Sequence, residues 1–61
     1  MSDEDEIRQA AAEHVRMRGS GAGEWLQEQA ELAEGLGDSE AAKAWRDIAV
    51  AADAILLSRS N

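Results

Sequence analysis

The chain has 61 residues, thirteen acids against six bases, a net charge of −7, no cysteine and one histidine. A chain this short buries only about 60% of the surface its unfolded form exposes, so it leans on disulfides, a metal or a partner subunit; without cysteine, disulfides and thiolate metal sites are excluded, a single histidine leaves little scope for another metal site, and no cofactor is expected. The charge argues against direct binding of nucleic acid, which needs a basic patch, and against docking on anionic lipid, while a basic protein partner stays open.

The N-terminal "MSDEDEIR" is acidic where a secretory signal is basic and then apolar. The longest unbroken apolar run, Ile48 to Ala52, is far short of the roughly twenty residues of a membrane helix. The chain is therefore expected to be cytoplasmic, processed at most by loss of Met1. It lacks proline and is rich in alanine, glutamate and leucine, which favours helix. Two glycine clusters, "RGSGAGE" and "EGLGDSE", each combine a helix stop with a helix start.

Helix 1 is predicted over 3–18, capped by Ser2, with Asp3, Glu4, Asp5 and Glu6 in its positive first turn and Arg16 and Arg18 at its C-terminal end. Ile7, Ala10, Ala11, His14, Val15 and Met17 are expected on its buried side. Helix 2 is predicted over 22–36, starting near Ser20 or Gly21. Its apolar stripe is Ala22, Trp25, Leu26, Ala30, Leu32, Ala33 and Leu36. Glu24, Gln27, Glu28, Glu31 and Glu34 fill the opposite side. Helix 3 is predicted over 39–58, capped by Asp38 or Ser39, with Ala41, Ala42, Trp45, Ile48, Ala49, Ala52, Ile55 and Leu56 as its main stripe. Short links place neighbouring helices antiparallel. The expected fold is all-α, a single domain forming a compact three-helix bundle with short glycine-containing turns. The alternative is a hairpin of helices 2 and 3 with helix 1 swapped onto a partner. Trp25 and Trp45 are expected to supply most of the core's bulk.

Helix 3 has more apolar surface than one stripe uses. The stretch "AWRDIAVAADAILL" is apolar everywhere except Arg46, Asp47 and Asp53. After the main stripe is assigned, Val50, Ala54 and Leu57 remain together on a second side, flanked by Lys43, Arg46, Asp47 and Asp53. Their spacing is that of a coiled-coil seam, and Ala54 admits close approach by another helix. The expected occupant is a symmetry mate, because symmetric dimers are the commonest oligomers; residual core and scattered surface are the plainer alternatives.

The remaining motifs carry no chemistry. "GSGAG" resembles a phosphate loop only superficially: a helix precedes it, no lysine follows, and Glu24 repels an anion. His14 lies on the apolar side of helix 1, either as a half-buried histidine bonded to a neighbour or as a pH-sensitive group. No nucleophile or metal spacing is built around it, and Ala11 stands where E-x-x-H needs its glutamate. The acidic side of helix 2 is either a solvated face or, in the sharper reading, an inhibitor or nucleic-acid mimic that fills a basic protein groove. Arg46 can reach either these acids or a tryptophan face.

The segment "GLGDSEAAKAWRDIAVAADAILL" resembles the C-terminal part of a family of short, acidic bacterial helical proteins of unknown function. The likeness rests on Gly37, Asp38, Trp45, Ile48 and Leu56, and on the helix–glycine–helix region before them. It implies a small helical domain and no activity. The expected function is a non-enzymatic protein–protein interaction module, homodimeric through helix 3, with the acidic inhibitor as the alternative.

Overall fold

The computed structural model describes residues 3–60. Helix α1 spans Asp3–Arg18, a 3-10 turn covers Gly19–Gly21, α2 spans Ala22–Gly35 and α3 spans Ser39–Ser60. The chain is all-helical and compact: among the described residues only 36–38 lie outside helix, and the radius of gyration is 11.4 Å. Helical backbone runs without a gap from Asp3 to Gly35 and turns at Gly19, whose φ of +65° suits glycine. The three pieces thus arrive as two helical runs. The first, turned on itself, lays both α1 and α2 against α3, and α1 and α2 touch each other much less.

Local chemistry sets the boundaries. Four acids open α1, and Arg16 and Arg18 close it, each group matching its end of the helix dipole. The expected cap Ser2 lies outside the described residues. Gly21 precedes α2 without any side-chain cap. The end of α2 is a Schellman turn: the Asp38 N–H donates to the Ala33 carbonyl at 2.9 Å and the Gly37 N–H to the Glu34 carbonyl at 3.0 Å. Gly37 takes the left-handed conformation this requires, with φ +79°. Asp38, not Ser39, caps α3: its carboxylate accepts from the Ala41 N–H at 3.1 Å. Helix 2 therefore stops one residue earlier than its pattern suggests, and helix 3 runs on to Ser60.

The core is built from small residues. Ala11, Val15, Ala22, Leu26, Ala49 and Ala52 are its buried centre, and Ala30, Ala33 and Ala42 extend it along α2 and α3. Among the described residues, Leu26 is the one large side chain buried completely. The tryptophans do not fill the centre as expected. Trp25 and Trp45 pack on its edge, half-buried, beside Ile48, Ile55 and Leu56.

Three residues expected inside lie outside: Met17, Leu32 and Leu36 are 66%, 62% and 86% exposed. Each has a geometric reason. Met17 stands about 200° around the helix from Val15, so Arg18 takes its place on the inner side. The stripe of α2 that meets α3 is Leu26, Ala30 and Ala33, and Leu32 lies about 100° away from it. Leu36 is the C-cap, at the very end of α2, its N–H donating to the Leu32 carbonyl, and it lies on the Leu32 side, away from the stripe.

Trp45 bridges the aromatic edge and the core, so its loss removes packing from both. Trp45→Ala is expected to lower stability by about 3 kcal/mol, the lower end for a tryptophan truncation because the ring is half-buried. Urea denaturation followed by circular dichroism measures this, and a change below about 1 kcal/mol would contradict the packing described.

Candidate interaction site

The outward side of α3 is the first candidate. Val50 and Leu57 are 70% and 69% exposed, and Ala54 between them is exposed as well. The helix is continuous through all three, and its inner side meets α1 and α2 through Ala42, Ala49 and Ala52. The three residues expected to bind a partner thus share one open face. Lys43 and Asp47 border it as an i,i+4 ion pair at 3.0 Å. Arg46 borders it on the side of α2, paired with Glu34 across the two helices.

The acidic side of α2 is the second. Glu24, Glu28, Glu31 and Glu34 are all exposed, but they are not equivalent. Glu34 holds Arg46: the hydrogen bond and then the charge of Glu34 raise the guanidinium above its usual range, and Glu31 adds to this. Of the two contacts open to Arg46, the structure thus takes the acids. Among the described residues, no cation pairs with Glu24 or Glu28. Leu32 and Leu36 continue the same line of side chains beyond them, which the sequence pattern had assigned to the core.

A third cluster ties α1 to the other two helices. The His14 ring stacks on Trp25 at 5.3 Å between centroids and meets Trp45 edge-on at 6.1 Å. Trp25 and Trp45 meet edge to face at 5.8 Å. The Arg18 guanidinium carbon lies 3.6 Å from the centre of the Trp25 ring, a cation–π contact. Arg18 follows His14 by four residues, so the i,i+4 rule already places both on one side of α1. The expected polar bond of His14 is not what holds it: Nδ1 of His14 and Nε of Arg18 are buried without a hydrogen-bond partner among the described residues.

Nothing in these clusters assembles a reaction centre. The surface hollows are shallow and open, the groove between α2 and α3 being lined by Ala30, Glu31, Glu34, Arg46, Val50 and Asp53. Among the described residues no group of three metal-ligating side chains converges, and no helix is long and apolar enough to cross a membrane. No protein-family model, curated protein or solved structure matches the chain.

The unpartnered Nδ1 makes His14 a packing residue with a polar cost. Replacing it by phenylalanine keeps a ring against Trp25 and removes that atom. His14→Phe is expected to melt at or above the wild-type temperature, with a gain of about 1 kcal/mol. A clear drop in melting temperature would assign His14 a polar role that the packing does not explain.

Proposed function

We propose that the chain is a non-enzymatic, cytoplasmic protein–protein interaction module that pairs with a second copy of itself through α3, its three helical pieces acting as one bundle. The supporting observation is the open apolar face of Val50, Ala54 and Leu57 on a helix whose inner side is packed against α1 and α2. Charge directs that face toward a second copy. A chain of net charge −7 repels itself over most of its surface, yet Lys43 and Arg46 balance Asp47 and Asp53 around the α3 face. That face is close to neutral, so it repels a second copy less than the uniformly acidic side of α2 does. Kinship with the short acidic bacterial proteins, carried by Gly37, Asp38, Trp45, Ile48 and Leu56, belongs to the same proposal and adds no activity to it. The acidic-inhibitor reading has less support, because Glu34 is taken by Arg46 and the line begun by Glu24 and Glu28 turns apolar at Leu32 and Leu36.

Sedimentation equilibrium tests the pairing. The wild type is expected to exceed the mass of one chain and to keep doing so at high salt, since an apolar contact is not screened. Leu57→Glu is expected to sediment as a single chain with unchanged helix content. A wild type that stays single at the highest concentration reached would refute the proposal.

A further inference from the structure

The outer line of α2 and the open face of α3 follow a similar order, charged and then apolar, with acids alone on α2 and both cations of the face at the start of α3. On α2, Glu24, Glu28, Leu32 and Leu36 follow one another at every fourth residue and form one ridge. All four are exposed. The ridge is acidic in its first half and apolar in its second. On α3, Lys43 and Arg46 come first, with Asp47 at their edge, and Val50, Ala54 and Leu57 follow, flanked by Asp53, so both cations of that face lie ahead of its apolar half in the same chain direction.

We propose that α3 of one copy docks, parallel, on the α2 ridge of a second copy. This rests on reading α3 as a self-association surface and names what that surface meets. One register serves all the contacts. Positions 28 and 46, 32 and 50, and 36 and 54 are separated by the same number of residues. Glu28 therefore faces Arg46, Leu32 faces Val50, and Leu36 faces Ala54 with Leu57 beside it, while Glu24 falls next to Lys43. An antiparallel arrangement that keeps Leu32 on Val50 loses this, because it lays Glu28 against Ala54, Glu24 beside Leu57 and Ser58, and Leu36 against Arg46.

Pairing α3 with α3 does worse. A parallel symmetric pair sets each charge against its own copy. An antiparallel pair centred on Val50 sets Asp47 against Asp53 and Lys43 against Leu57. The intrachain ion pairs do not prevent the α2 contact, because both lie at the surface. The Arg46 guanidinium has five donors, enough to keep Glu34 and reach a second carboxylate. The two faces differ, so the contact is heterologous: each copy offers one of each, and the assembly closes into a ring or grows.

Two variants that each lose one face test this. Leu57→Glu spoils α3 and leaves the α2 ridge; Leu32→Gln with Leu36→Gln spoils the ridge and leaves α3. In sedimentation equilibrium each alone is expected to be a single chain, and their equimolar mixture is expected to contain a two-chain species, because each supplies what the other lacks. Circular dichroism checks that helix content is unchanged, as expected for side chains this exposed. Should the double variant unfold, Leu36→Gln alone takes its place and is expected to weaken association about tenfold or more. A leucine variant that self-associates as tightly as the wild type would overturn the α2 contact and leave pairing through α3 standing, and so would a mixture without a two-chain species when both variants are single. A wild type that is itself single would overturn both.

Discussion

Helices α2 and α3 pack together, and Ala30, Ala33, Ala42, Ala49 and Ala52 on them are all buried; among the described residues Leu26 is the one large side chain fully enclosed, in the core these helices share with α1. Alanine lets two helices lie near the short end of the usual 8–10 Å interaxial range. It gives helix formation at no side-chain entropy cost. It also buries little area per residue, so the chain cannot rely on a thick apolar centre for stability. The close seam leaves no room for the larger apolar residues. Leu32, Leu36, Val50 and Leu57 lie on the outer sides of the two helices that form it.

The edge of the seam is closed by aromatic packing rather than by polar bonds. Trp25 and Trp45 stand against each other and against His14, which brings α1 onto the other helices. Arg18 covers the Trp25 ring. Polar contacts between helices are few and lie at the surface, Arg46 with Glu34 being the one ion pair across α2 and α3 among the described residues. Such pairs set register more than stability. The same division governs the outer faces: α3 is balanced in charge, and α2 is acidic with two leucines at its far end.

Much of this was legible in the residues. The glycine clusters mark both turns, Gly37 and Asp38 announce a Schellman turn followed by a cap, and the main stripe of α3 can be read directly from its period. The outward position of Val50, Ala54 and Leu57 follows from the same wheel. The fate of Leu32 and Leu36 does not. On a wheel they join Trp25 in one broad apolar arc, and only the placement of α1, which touches α2 chiefly near their turn, decides how far along α2 that arc is covered. Leu36 carries a local warning, since Gly37 ends the helix before its side chain can complete a stripe. The tryptophans were misplaced for a related reason: a wheel gives direction but not depth, and helices joined through alanine come too close to admit an indole between them.

The account turns on that close alanine seam, and adding the same bulk at two adjacent residues tests it most directly. In chemical denaturation at low protein concentration, Ala49→Leu should lose about 1–3 kcal/mol, because the seam has no space for the added atoms. Val50→Leu, one residue on and facing outward, should stay within about 0.5 kcal/mol of the wild type. If Ala49→Leu is instead as stable as the wild type or more so, α2 and α3 are not closely packed, and the reason for the exposed leucines is lost.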